Sequence, residues 1–413
     1  MFSRVTNMMM TTTFINDIQR NLTKTADLQH QISTGKKVNF PSDDPIGADR
    51  ILDYRQIIES TTQYIKNVDD ADSQASNVDG VLSHMETMLM RVRDLAVKAS
   101  NEAPNNQQML DAMSKEIDSL INEMVFQSNQ KFDGKYLFSG NKTSTTPFVA
   151  KKYIDFTYGG AAVAAGGPVT FNMPSSTING VTRVSEAIVD TNSIKQIDLI
   201  DAAGNRTTLA PTDYTIDPVT NSITIANLPV NLASTDRIEL HFDKTVSVEY
   251  KGDTGIKEIE ISDGSKVGVS YAGATADASS QPTVFGKYSA DGNETASVET
   301  FQKLFDLRDR IAKYSNVPGG NIQQIMEGID DVDSIRTNIT TIRAEQGGRV
   351  NRLELAKNRL NNISISTKDL KSKREDVDMA EAITQMTMAQ TIYQACLASG
   401  AKIISTTLLD YLR

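Results

Sequence analysis

Twenty consecutive residues near the end of the chain, Ala382 to Ala401, carry no charge. Seven of them (Thr384, Gln385, Thr387, Gln390, Thr391, Gln394, Ser399) are polar. A membrane span needs about 20 predominantly apolar residues, so this stretch makes a poor one. Helical spacing explains it better. Met379, Ile383, Met386, Gln390, Tyr393, Leu397, Gly400 and Ile404 alternate by four and three, the seam of a coiled coil. Ala382, Ala389, Cys396 and Ile403 widen that seam by a seven-residue repeat. A helix with so broad an apolar stripe must bury it against other helices, in its own chain or in a neighbour.

The other end of the chain has the same character. Residues 1–34 read as a helix whose apolar face carries Met8, Ile15, Ile18, Leu22, Leu28 and Ile32. Thr34 and Gly35 stop it, and Lys36 to Asp44 read as a loop. Asp44 suits the N-cap of the next helix and Pro45 its first turn. Asp43 and Asp44 also oppose the positive end of that helix's dipole. From Pro45 a helical pattern runs to about Asn101, a length of roughly 85 Å. Ala103 and Pro104 interrupt it, and a third helix follows to about Gln130.

Composition then changes. Residues 133–296 hold the turn pairs Asp133-Gly134 and Asp263-Gly264 and the Gly-rich links Gly159-Gly160 and Gly166-Gly167. Between them lie short alternating runs such as Ile238, Leu240, Phe242 and Val246, Val248, Tyr250. Helical spacing returns after Ser297, breaks at Pro318-Gly319-Gly320, and resumes to about Lys371. The expected fold class is α+β: long terminal helices form a helical-bundle rod, with an inserted antiparallel β domain. The expected segments are 1–44, 45–140, 141–296, 297–371 and 372–413, with a self-contained β unit over about 190–243.

The chemistry expected of such a chain is slight. Net charge is −10, from 42 Lys and Arg against 52 Asp and Glu, which argues against nucleic acid or anionic membrane as partner. Cys396 is the one cysteine, so no intramolecular disulfide can form, and it reads as a small buried hydrophobe. Val5 to Asn16 lacks the small-residue cleavage site of a secretory signal. His30, His84 and His241 are isolated and lack metal-ligand spacing. Gly140 to Thr143 departs from the phosphate-loop spacing, and Asp330, Asp331 and Asp333 read as a solvated face. No catalytic, cofactor or metal site is expected, and the chain does not read as an enzyme. Function should lie in assembly.

Five stretches together resemble the flagellin superfamily, and within it the hook-associated branch. They are Ile32 to Gly47 with its Pro41-Ser42-Asp43-Asp44-Pro45 loop, Gly134 to Phe148, Tyr250 to Gly255, Arg343 to Glu354, and Tyr393 to Arg413. The resemblance covers about 1–148 and 245–413. It implies a structural subunit that joins hook to filament and polymerises through its terminal helices, exported through the flagellar secretion channel without a cleaved signal and ending outside the cell. The interface residues expected on these two counts are Met8, Ile15, Ile18, Leu22, Ile32, Ile383, Met386, Tyr393, Leu397, Ile404, Leu408 and Leu412. Gly35, Asn39, Pro41, Ser42, Asp43, Asp44 and Pro45 form the expected structural loop and cap. The implied partners are further copies of the chain, a hook-associated protein on the hook side, flagellin on the filament side, and a cytoplasmic export chaperone holding roughly Met379 to Leu412. A filament flagellin and an extracellular adhesive protein acting through the β insert are the competing readings.

Overall fold

The structure described below, a computed structural model, covers residues 7–102, 107–172, 175–178, 181–184, 194–217, 222–275, 283–288, 298–313 and 322–411. The helices are α1 (Asn7–Thr34), α2 (Pro45–Glu102), α3 (Gln107–Ser128), α4 (Glu299–Lys313), α5 (Ile322–Glu375) and α6 (Met379–Tyr411). Between α3 and α4 lie β1 (Lys131–Phe132), β2 (Lys135–Tyr136), β3 (Phe148–Lys151), β4 (Tyr153–Thr157), β5 (Val169–Asn172), β6 (Ser175–Ile178), β7 (Val181–Val184), β8 (Ile194–Ile200), β9 (Arg206–Leu209), β10 (Tyr214–Asp217), β11 (Ser222–Ile225), β12 (Arg237–Phe242), β13 (Ser247–Tyr250), β14 (Glu258–Ser262) and β15 (Ser265–Gly268). This is the α+β plan of terminal helices around an antiparallel insert. The breaks expected at Ala103-Pro104 and at Pro318-Gly319-Gly320 lie outside the described residues.

Local chemistry sets the helix starts. Asp44 Oδ1 accepts the Gly47 N–H at 3.0 Å, which caps α2 ahead of Pro45. A Cβ on Gly47 would strike that carboxylate, so the tight cap needs glycine there. Asp378 Oδ1 accepts the N–H of Ala380 at 2.9 Å and of Glu381 at 3.2 Å, capping α6.

The chain divides into two compact units, residues 1–66 with 356–413, and residues 67–355. In the second unit α2 buries Val78, Leu82, Met85, Leu89 and Val92, a four-three row. Ile117 and Ile121 of α3, Leu304 and Phe305 of α4, and Ile335, Ile339 and Ile342 of α5 join the same core. Arg343 ties α5 to α2 by ion pairs to Asp79 (2.9 Å) and Glu86 (2.5 Å). The β1–β2 hairpin turns on Asp133 (φ 49°) and Gly134 (φ 72°), the two left-handed positions a two-residue hairpin of this kind demands. Strands β3 and β13 pair antiparallel, from Phe148↔Tyr250 to Lys151↔Ser247, and Phe148 packs edge-on to Phe285 and Phe301 in the helical core.

The chain between β3 and β13 builds a second apolar core of its own. One sheet has the order β4-β12-β8-β9 and another β10-β11-β5; β6 pairs with β7. Ile154, Ile197, Leu199, Ile238 and Leu240 share that core with Phe171, Ile223 and Ile225. The module therefore begins near Tyr153, upstream of the Asp190 start expected from composition. The Gly-rich links at Gly159 and Gly166 turn the chain between β4 and β5, inside the module. Where the module rejoins the helices, Lys244 pairs with the buried Asp309 at 2.6 Å, and the buried Arg308 donates to the Thr245 carbonyl at 2.8 Å. Burial pushes the Asp309 carboxyl up, but Arg308 and Lys244 outweigh it and hold the group below its ordinary value.

Candidate functional site

The first unit brings the two ends of the chain together. Helix α1 packs along α6. The Gly35 carbonyl accepts the Val377 N–H at 3.0 Å, and Phe14 meets Gly400 at the far end. These two fixed points make the helices antiparallel. The inward row of α1 is Phe14, Ile18, Asn21, Thr25, Leu28 and Ile32; that of α6 is Ala382, Met386, Ala389, Tyr393, Cys396 and Gly400. Both rows step by four and three, the spacing of a two-helix seam. The α6 row is rich in small residues, so the backbones approach closely. A Cβ on Gly400 would come within 2.2 Å of the Phe14 ring.

This register corrects the seam expected on α6. Met386, Tyr393 and Gly400 of that seam face α1 together with the widening row Ala382, Ala389 and Cys396, whereas Ile383 and Leu397 do not. Ile15, Leu22, Ile383 and Leu397 are 49%, 54%, 49% and 47% exposed, respectively. Ile18, Ile32, Met386 and Tyr393 are half-buried along the seam. Met8 lies in α1 and Ile404 and Leu408 in α6, with their side chains outside the described residues, as is the whole of Leu412. Met379, Met388 and Ile392 extend the exposed apolar surface of α6, and Ile363, Ile365 and Leu370 that of α5. Most of the exposed large apolar side chains among the described residues belong to this unit. Exposed apolar surface on this scale marks an interaction site.

The loop after α1 locks the ends of several helices. Gly35 takes φ 69°, the left-handed position that closes a helix. The Asn39 side chain donates to the Lys36 carbonyl at 3.0 Å. Asp43 Oδ2 accepts the backbone N–H of Asn39 (3.0 Å) and of Phe40 (2.9 Å), so it braces the loop while Asp44 alone caps α2. Those Phe40 and Asn39 amides hold the Asp43 carboxyl below its ordinary value. Pro41 and Ser42 are exposed at the turn and Pro45 opens α2. At the end of α5 the Glu375 carboxylate receives Lys36 and Arg55, each at 2.6 Å, and Lys371 at 3.3 Å. Glu375 was not foreseen. Lys36 and Arg55 lie more than 300 residues away in sequence, and no local pattern links them to it, whereas Lys371 sits one turn upstream on the same helix.

His30 stacks on Phe40 at 5.6 Å. Asp331 pairs with Lys303 at 3.4 Å and Asp333 with Arg93 at 3.0 Å. Strand register does what spacing could not for His241, which it places beside Asp198 and Glu239. No helix among the described residues is long and apolar enough to cross a membrane.

The profile of the bacterial flagellin N-terminal helical region matches residues 5–143, and that of the bacterial flagellin C-terminal helical region matches residues 329–412. Together they take in more than half of the sequence.

The chain belongs to the flagellin family.

Among its flagellin-family relatives, polar flagellin C of Vibrio parahaemolyticus is 22% identical over 375 residues, 88% of this chain and 87% of that protein. Flagellar hook-associated protein 3 of Escherichia coli is 32% identical over 123 residues, 30% of this chain and 38% of that protein. Similar solved structures include a putative flagellar hook-associated protein from Vibrio parahaemolyticus, 13% identical with a TM-score of 0.48, covering 81% of this chain and 100% of that one. Flagellar hook-associated protein 3 from Legionella pneumophila is 14% identical with a TM-score of 0.39, covering 78% and 98%. At these scores the likeness carries no functional argument. Family and fold are those of structural flagellar proteins, and this flagellin-family chain is a flagellar structural subunit.

Proposed function

We propose that this chain is the subunit that joins hook to filament. The observation that carries this is the second apolar row, Ile15, Leu22, Ile383 and Leu397, left outward after α1 and α6 have satisfied each other. Burying a whole side chain of this size stabilises by about 1.5–3 kcal/mol, and about half of each surface is left to bury, so each contributes roughly a three- to tenfold factor to association. A head-to-tail repeat of such contacts generates a helical array. The partners in this reading are copies of the chain, a hook-associated protein below, and flagellin above. An export chaperone covers Met379 to Leu412 before the chain leaves the cell through the flagellar channel. The match to hook-associated protein 3 and the Pro41 to Pro45 loop support the junction over the filament.

The test is complementation of a strain lacking the gene with Ile383→Asp/Leu397→Asp. Both positions are about half-exposed, so the melting curve of the purified double variant should match wild type. Cells carrying it should show hooks without filaments and shed flagellin into the medium. Full motility in those cells would overturn the reading. The extended match to polar flagellin C favours a second reading, a filament subunit. Purified chain that elongates filaments from a seed would establish that reading instead.

A further inference from the structure

The four-stranded sheet of the insert has one face on its apolar core. The other face carries an arrangement that strand pairing alone would disfavour. Asp155 of β4, Glu239 of β12 and Asp198 of β8 sit in one row, each directly opposite the next. Like charges in such a row destabilise a sheet. All three are also nearly buried, at 2%, 7% and 0% exposure. Arg237 pairs with Asp155. Arg206 reaches both of the other carboxylates, Asp198 at 2.6 Å and Glu239 at 2.9 Å, and the Gln196 amide donates to Asp198 Oδ1 at 2.8 Å.

His241 lies two residues from Glu239 on β12, and therefore on the same face. Its Nε2 stands 3.1 Å from Asp198 Oδ2 and 3.4 Å from Glu239 Oε2. That nitrogen is enclosed and makes no hydrogen bond. The three donor atoms lie within 4.8 Å of one another. In a tetrahedral site with bonds of about 2.0–2.1 Å, neighbouring donors are about 3.3–3.4 Å apart. The spacings from Nε2 are close to that edge length. One imidazole nitrogen and two carboxylate oxygens suit a zinc-class ion, whereas calcium takes six to eight oxygens.

We propose that Asp198, Glu239 and His241 bind one zinc-class divalent cation on the outer face of the insert, with water in the fourth position. Arg206 is the resident positive charge that gives way when the ion enters. Its side chain is 49% exposed, so it can turn into solvent without opening the core.

The full chain is titrated with zinc chloride by calorimetry and by imidazole NMR, which the presence of only three histidines makes readable. Expected are one zinc per chain, a shift of the His241 resonances with those of His30 and His84 unmoved, and no displacement by excess calcium. His241→Gln should weaken binding at least tenfold. Arg206→Gln should tighten it several-fold, because the competing cation is gone. Absence of saturable zinc binding in both wild type and Arg206→Gln, or wild-type affinity in His241→Gln, overturns the site and leaves an ion-pair network.

Discussion

Glu375 gathers three cations into one nearly buried carboxylate, whose side chain is 3% exposed. Burial pushes this carboxyl up, but hydrogen bonds from Lys36, Arg55 and Lys371 outweigh it and bring it down to about 2, from an ordinary 4.5. A carboxylate whose folded value lies below its unfolded value stabilises the fold above the unfolded value. The contribution then drains away as pH falls from about 4.5 towards 2. The shift sets an upper bound of about 3 kcal/mol, reduced by solvent around the half-exposed Lys36 and Arg55. Denaturant melts of the wild type between pH 6 and 2.5 should therefore show a progressive loss from the terminal unit. Glu375→Gln should be weaker at neutral pH and lose less across that range, the remaining slope coming from groups such as Asp43. An unchanged slope in the variant would assign the acid sensitivity elsewhere. The same hub also fastens the main chain, since the Lys37 N–H donates to the Glu375 carbonyl at 2.7 Å.

At the scale of elements, the pairing of α1 with α6 depends on close approach. Gly400→Ala would gain about 1 kcal/mol of helix propensity. Overpacking a tight contact typically costs 1–3 kcal/mol, and here the added carbon meets an aromatic ring. The expected outcome is a net loss, larger for Gly400→Leu, seen as faster hydrogen exchange over residues 14–32. Phe14→Leu combined with Gly400→Ala should recover much of the protection. This contact also shows where sequence reading stops. Asp44, Pro45 and the Asp133-Gly134 turn were legible because caps and left-handed turns are decided within a few residues. The facing rows of α1 and α6 were legible only in part: Ile18, Ile32, Met386 and Tyr393 fall on them, while Ile15, Leu22, Ile383 and Leu397 do not. The inward row of α1 includes the polar Asn21 and Thr25, and on α6 the small Ala382, Ala389 and Cys396 lie beside the larger Ile383 and Leu397, so hydrophobic spacing does not single out the inward side. Which side turns inward is decided by how closely Ala382, Ala389 and Gly400 let the sister helix come. The module boundary at Tyr153 and the meeting of His241 with Asp198 were hidden for a related reason. Both follow from strand register, which joins residues far apart in the chain.

For the whole molecule, the Lys151↔Ser247 pair means the insert leaves and re-enters at adjacent positions of one β ladder. Such a segment can be removed without stretching the scaffold. A chain lacking 153–243, with Lys152 joined to Lys244 through an Asn-Gly turn, should keep its helical content. Its helical transition should move by less than about 1 kcal/mol, because closing the short loop is entropically mild. Keeping Lys244 and Thr245 matters, since they meet Asp309 and Arg308. The segment 152–246 made alone should melt as a separate β protein. Collapse of the helical transition in the shortened chain would contradict an independent module. The antiparallel meeting of Phe14 with Gly400 has a consequence in time as well as in space. The two halves of that clasp are separated by almost the full contour of the polypeptide, so no partial chain can fasten it. A subunit threaded head first through a narrow conduit would travel with its clasp undone. It would snap shut only after the last turn of α6 had cleared the exit, so the adhesive surface would be completed at the building site and not before.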